Sequence, residues 1–454
     1  LKRKKRSLDY LFRSFMLPGL KRYILMIALS IASIVFGVLW VLDKHPLMRI
    51  FNFFHDVVTD YKQVLPTKVN GIIAISVGGV CLFFFFMKLT QEVLGAYLPE
   101  DREAIPDVLY RRRYLERGPK VVVIGGGTGL STLLRGLKRY TNNITAIVTV
   151  GDDGGSSGRL RQELGVLPPG DIRNCITALA DEDKIVTELF RYRFESGEGL
   201  EGHSFGNLFL TAVCAITHGD MIEAVRTASR VLNSCGQVLP STLDGVTLMA
   251  EFEDGTIVRG ESHITEAGKR IKRLFCEPAE LRPTEEAIEA IMDAELIVLG
   301  PGSLYTSIVP NLLVPGIADA VKRSQAQTIY ICNVMTQPGE TTDYSVGDHV
   351  HAILSHSGTS IASMPLMDGV LVNDYGEPPT GLPAGARPVR YDPDKLRELG
   401  VMPIRKSLVS DATPSHHDPL KLARVIMMWF FRSKKKKRPP RDNTPRPPLA
   451  TARS

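Results

Sequence analysis

The residues best suited to chemistry begin with Gly125-Gly126-Gly127-Thr128-Gly129, which follow the apolar run Val121-Val122-Val123-Ile124 and precede leucines at 130, 133, 134 and 137. Glycine lets backbone N–H groups approach an anion closely, and a helix start behind the loop adds positive dipole. Strand, loop and helix in that order suit a phosphate. Leu130 stands where a dinucleotide fingerprint has its third glycine, which weakens an NAD reading. No lysine lies in the loop, so a Walker A site for ATP hydrolysis is disfavoured too. Four glycines and Thr128 exceed what a bare turn requires.

A second stretch, VTVGDDGGSSGRLRQELGVLPPGDIRN, sets Asp152 and Asp153 at the end of a strand, then Ser156, Ser157, Arg159 and Arg161. Ligands of open α/β sheets bind outside those strand ends. Paired aspartates there can hold a ribose hydroxyl, a magnesium ion or an attacking hydroxyl, while serines and arginines can take phosphate oxygens. Asp171 reads equally well as a helix N-cap or as a site group. His203, in GHSFGN, reads as a polar residue at a helix start, and His349 and His351 as residues on alternate faces of one segment rather than metal ligands.

The elements that would position these groups follow from periodicity. Val121–Ile124 is a strand buried on both faces, Ser131–Tyr140 has helical spacing, and Ile144–Val150 is the next strand. A second unit runs from Glu295–Leu299 into Gly300-Pro301-Gly302-Ser303. Helices are predicted at 206–217, at 221–232 and from Asp418-Pro419 to about Phe431. A hairpin pairs 247–251 with 256–260 around Asp254-Gly255, and Gln327–Cys332 is a further buried strand. Together they predict an α/β fold with a Rossmann-like, doubly wound, mostly parallel sheet.

The N-terminal fifth differs. Tyr23–Leu42 and Val69–Met87 are uncharged runs long enough to cross a bilayer as helices. Lys/Arg are dense before the first and after the second, which predicts both ends in the cytoplasm. The organisation expected is a basic arm at 1–22, a transmembrane hairpin at 23–87, a connector at 88–117, the α/β domain at 118–432 and a disordered basic tail at 433–454. The net charge of +6 comes from the ends: eight Lys/Arg against one Asp in each of the two tails leave the remainder acidic. An acidic body argues against a nucleic-acid groove. Six scattered cysteines without ligand spacing read as reduced core thiols.

The motifs GGGTGLSTLLRGLK, VTVGDDGGSSGRLR, LPPGDIRNC, GHSFGNLFL, VLPST, LGPGSLYTSIVPNLLVPGI and CNVMTQPGET together resemble the gluconeogenesis factor family, a relative of the 2-phospho-L-lactate transferases. The resemblance runs from about Pro119 to Ile426. It implies a Rossmann-like protein that binds UDP-N-acetylglucosamine and supports cell shape and envelope synthesis during growth on gluconeogenic carbon, a regulator more than an enzyme, with no required cofactor. Carried onto this chain, Gly125, Gly126, Gly127, Thr128 and Gly129 would cradle the diphosphate. Asp152, Asp153, Ser156, Ser157 and Arg159 would line the nucleotide-sugar site, and Asn207, Gly300, Gly302 and Ser303 would close it. The transferase relatives imply an alternative, a magnesium-dependent phospho-group transfer with Asp152 or Asp153 as metal ligand or base. An envelope-synthesis partner and a homo-oligomer are compatible with either reading. The hairpin and basic tail are expected as additions to the family plan.

Overall fold

The computed structural model describes residues 20–42, 67–95, 114–180, 184–358, 366–376, 382, 385–410 and 413–435; the basic arm at 1–19, most of the connector and the tail from 436 lie outside the described residues. The strands in chain order are β1 (Val121–Gly125), β2 (Ile144–Val148), β3 (Gln237–Pro240), β4 (Thr247–Phe252), β5 (Ile257–Arg259), β6 (Ile271–Glu277), β7 (Leu296–Leu299), β8 (Gln327–Ile331), β9 (Gly369–Asn373) and β10 (Met402–Lys406). Seven form one sheet in the order β10-β9-β8-β7-β1-β2-β3, every neighbouring pair parallel. The other three form an antiparallel sheet, β5-β4-β6, whose β4–β5 hairpin turns at Asp254-Gly255 as its sequence predicts.

The alternation of side chains explains why the central strands are continuous apolar runs. Val121 and Val123 of β1 join one core and Val122 and Ile124 the other; β7 does the same, with Leu296 and Val298 on the first side and Ile297 and Leu299 on the second. The first core is closed by helices Gly127–Leu137, Gly170–Leu179, Met221–Val231 and Pro419–Lys435, through residues such as Leu134, Ile176, Val225 and Ile426. The second is closed by helices Glu285–Asp293, Ile317–Arg323 and Val346–His356 and by the small sheet, through Ile291, Val321, Ile353 and Phe252. Asp418 caps the last helix, accepting from the N–H groups of Leu420 and Lys421 at 2.8 Å each. All six cysteines are free thiols, and Cys175, Cys214 and Cys332 are buried.

Residues 1–110 form a separate compact unit. Within it, helices Leu20–Val41 and Thr67–Gly95 carry stretches, Arg22–Val41 and Lys68–Thr90, with mean hydropathies of 2.6 and 2.3, long and apolar enough to cross a membrane. They pack antiparallel where small residues permit it: a Cβ at Gly37 would fall 2.6 Å from the Gly71 carbonyl oxygen, and Ser33 donates to the Ala74 carbonyl at 3.1 Å. The second helix runs on to Gly95, past the apolar run ending at Met87, because nothing in Lys88–Leu94 breaks a helix.

Candidate functional site

The chain winds outward from β1 in both directions, to β2 and β3 on one side and to β7 through β10 on the other. The β1/β7 boundary is thus the topological switch point, and the two loops leaving it diverge and open a crevice at the carboxyl ends of the strands. A cavity of about 570 Å³ lies there. It is lined by Gly126, Gly127, Thr128 and Gly129 after β1, by Pro301, Gly302, Ser303, Thr306 and Ser307 after β7, and by Asn333 and Gln337 after β8.

The loop after β1 has the form an anion site needs. Helix Gly127–Leu137 starts with Gly126 at its N-cap, which has no side chain to cap it; the Asp171 carboxyl meets the Gly127 N–H, and the first intrahelical bond is Leu130 N–H to the Gly126 carbonyl. A side chain is excluded by contact. A Cβ at Gly126 would lie 2.5 Å from Asp171 Oδ2, and one at Gly129 would lie 2.8 Å from the Pro301 carbonyl oxygen. Asn311 braces the loop from below, donating to the carbonyls of Gly125 at 3.0 Å and Ser307 at 2.7 Å. Gln337 holds the opposite wall, donating to Ser303 Oγ at 2.8 Å and accepting from Asn333 Nδ2 at 3.0 Å.

Acids gather on one side of the cavity. Asp152, Asp171 and Glu261 all line it. Burial and the neighbouring Asp152 push the Asp171 carboxyl up to about 6, against the Gly127 N–H and Arg173, which favour its ionised form. Glu261 is pushed up to about 9 by burial and then by Asp152, Asp171, Glu340 and Asp153. Glu340, raised by burial to about 6, lies behind the wall, where it accepts from the Tyr305 N–H and the Thr306 hydroxyl. Among the described residues no three His, Cys, Asp or Glu side chains come together as a metal-ligand set.

Arginines back the other side. Arg135 donates to Thr132 Oγ1 at 3.0 Å and Arg173 to Asn174 Oδ1 at 2.7 Å, and both Thr132 and Asn174 line the cavity. Neither guanidinium has a carboxylate ion-pair partner among the described residues, and Arg173 Nε is buried without a partner. Burial lowers both below the usual arginine range, with Arg191 adding to the effect at Arg135 and Arg193 at Arg173. Asp171 and Asp152 partly offset the Arg173 charge, and positive charge beside a cavity favours an anion in it.

The site residues expected from sequence divide. Gly126, Gly127, Thr128, Gly129, Asp152, Gly302 and Ser303 line the cavity together, and Gly125 and Gly300 end the two strands beneath it. The others build its surroundings. Asp153 accepts from the Ser262 N–H at 3.0 Å and hydroxyl at 2.8 Å, which fixes the start of helix Glu261–Ala267 and hence Glu261. Ser156 is buried against His203 Nδ1 at 2.9 Å and Asn207 Nδ2 at 3.0 Å. Ser157 packs beside Gly170, and Arg159 donates to the Glu201 carbonyl at 2.6 Å. Asp171 is no cap, since Pro169 holds that position, and its carboxyl belongs to the cavity. Asn174 and Gln337 line the cavity from within the quoted motifs LPPGDIRNC and CNVMTQPGET, whereas Glu261 and His417 arrive from segments that look locally ordinary.

Comparisons with known proteins agree with this geometry. The family model described as 2-phospho-L-lactate transferase CofD matches residues 121–409. A Nostoc sp. relative is 48% identical over 422 residues, covering 91% of each chain. Gluconeogenesis factors of Halalkalibacterium halodurans and Bacillus subtilis are each 50% identical, over 68% of this chain and 95% and 97% of their own. A crystal structure of a Bacillus halodurans protein superposes with a TM-score of 0.64 at 48% identity, covering 68% of this chain and all of that one. The Nostoc match covers 91% of this chain and so takes in at least one of the two apolar helices. The conjunction of a CofD match across the whole sheet with relatives half identical over nearly their own full lengths means that the chain belongs to the gluconeogenesis factor family, within the wider CofD family.

Proposed function

We propose that the switch-point cavity binds a nucleotide sugar, with UDP-N-acetylglucosamine as the first ligand to test, and that the protein acts as a regulator of cell shape and envelope synthesis during gluconeogenic growth. The observation that carries this reading is the glycine-lined helix start at Gly126–Gly129, open to the cavity, with Arg135 and Arg173 behind the lining residues Thr132 and Asn174. Backbone amides at a helix start, with arginines close behind, favour a diphosphate. The acidic side, with two carboxyls that hold their protons more tightly than usual, suits a hydroxyl-rich group instead. The apolar hairpin would tether the domain beside the inner leaflet with both ends in the cytoplasm, near membrane enzymes that consume the same sugar nucleotide. An envelope-synthesis protein is the partner such a sensor would need.

A second reading is phospho-group transfer, favoured by the CofD description and by an Asp171 carboxyl titrating close enough to neutrality to serve as a base. Calorimetric titration of the purified protein with UDP-N-acetylglucosamine, followed by recovery of the ligand, separates the two. Saturable binding with the ligand recovered intact is expected for the sensor. Consumption of a phosphoryl-linked donor in the presence of magnesium would select the transferase, and no binding at millimolar concentration would remove the nucleotide-sugar reading.

A further inference from the structure

Helix Pro419–Lys435 closes the first core with Leu422, Ala423, Ile426, Met427 and Phe430 and leaves its other side bare. Arg424, Met428, Phe431 and Arg432 recur there at i, i+4, i+7 and i+8, one stripe of a helix, and all four are exposed, Phe431 by 49%. The helix contains no Asp or Glu, and neither arginine has a carboxylate partner among the described residues. Single exposed apolar side chains are ordinary on a protein surface. Two of them interleaved with arginines on a helix without acids have the pattern of a helix that lies on a membrane surface.

The place where this helix ends is an independent observation. Glu295, just before β7, accepts from the Lys120 N–H at 3.4 Å and pairs with Lys434, so the last turn of the helix meets the chain just before β1. This is the amino-end edge of the sheet, opposite the strand ends that open into the cavity. Two basic runs of the sequence converge on it: Arg111-Arg112-Arg113 directly before Tyr114, and Lys434-Lys435-Lys436-Lys437-Arg438. The acids on hand are few. Glu116 is the one acid among residues 111–120, Asp293 pairs with Lys120 at 2.5 Å, and Glu295 is taken up by Lys434. An occupant of opposite charge follows from the rest of the chain, which carries two helices long and apolar enough to cross a membrane; the cytoplasmic leaflet of such a membrane is anionic.

We propose that the outer face of helix Pro419–Lys435, together with the basic runs at the amino ends of β1 and β7, docks on the anionic inner leaflet. Met428 and Phe431 enter the headgroup boundary, and Arg424, Arg432 and the lysines meet lipid phosphates. Docked this way, the domain turns the carboxyl ends of its strands, and with them the cavity, away from the bilayer, where a soluble ligand reaches it. The inference uses the charge and exposure of this helix and not the ligand, so it stands or falls apart from the nucleotide-sugar reading.

The chain has two tryptophans, Trp40 and Trp429, and Trp429 lies on this helix beside Met428. The test uses the full chain carrying Trp40→Phe, reconstituted into vesicles of phosphatidylcholine alone or with about one-third phosphatidylglycerol. Each vesicle contains a lipid with a nitroxide quencher close to the headgroup. Quenching of Trp429 is expected to be at least about twofold stronger in the anionic vesicles and to fall to the phosphatidylcholine level in about 1 M salt. Met428→Ser with Phe431→Ser, and separately Arg424→Glu with Arg432→Glu, are each expected to remove about half or more of that difference. Melting curves report folding of these variants, and the comparison of the two vesicles needs no substitution on the helix. Equal quenching in both vesicles would overturn the proposal. Full retention of the difference in both folded helix variants would assign the lipid contact to the basic runs alone and would overturn it too. A dimer in detergent that Met428→Ser with Phe431→Ser dissociates would overturn it by showing the face covered by a second copy of the chain.

Discussion

At the scale of single residues, the site is a contest between burial and charge, and Asp171 shows how it is resolved. Its carboxyl touches the Gly126 backbone closely enough that no side chain fits there, and burial together with Asp152 raises it to about 6. The sign of the consequence is fixed. An acid raised in the folded state stays protonated while its unfolded counterpart ionises, so its contribution to stability falls as pH rises from about 4 to 6 and is level above that. Asp171→Asn should flatten that part of the stability profile, as read by urea denaturation at pH 4, 5, 6 and 7, and should leave the protein at least as stable at pH 7. A variant whose profile still falls between pH 4 and 6 would assign the slope elsewhere. Glu261 and Glu340 titrate upward for the same reason, so the comparison is made on the difference from the unsubstituted protein.

At the scale of elements, the parts legible in the sequence were those that burial makes repetitive. β1, β2, β7 and β8 are apolar runs because helices cover both faces of the sheet, and the glycine loop announces itself at the end of the first. β3 and β10 are hard to read: β3 is four residues ending in proline, and β10, MPIRK, is an edge strand with exposed polar side chains. β6, IKRLFCE, mixes basic and apolar residues because its outer face is paired with acids rather than buried. In the site, the glycines and Asp152 are legible because strand, loop and helix are contiguous. Glu261 is not, since its role depends on Asp153 binding Ser262 across 109 residues of sequence. The link between the two switch-point loops is likewise non-local, for Asn311 spans them with hydrogen bonds to Gly125 and Ser307. Asn311→Ala should cost about 1–3 kcal/mol in urea denaturation, because two buried hydrogen bonds are lost, although the Gly125 carbonyl keeps the Thr149 N–H. It should weaken ligand binding as well, since the glycine loop loses its brace; a fully stable variant would show that the brace is dispensable.

At the scale of the whole molecule, two units of different composition share one chain, a pair of apolar helices and an α/β domain. The Halalkalibacterium halodurans and Bacillus subtilis relatives match 68% of this chain over nearly their full lengths, as does the solved Bacillus halodurans chain over all of its own. Residues 114–435 expressed alone are therefore expected to fold and carry the cavity. The account as a whole turns on what the first helix start holds. Crystals of residues 114–435 soaked with UDP-N-acetylglucosamine should show density for its diphosphate on the amides of Gly126–Gly129; density for the ligand elsewhere, or an unchanged cavity at saturating concentration, would contradict it.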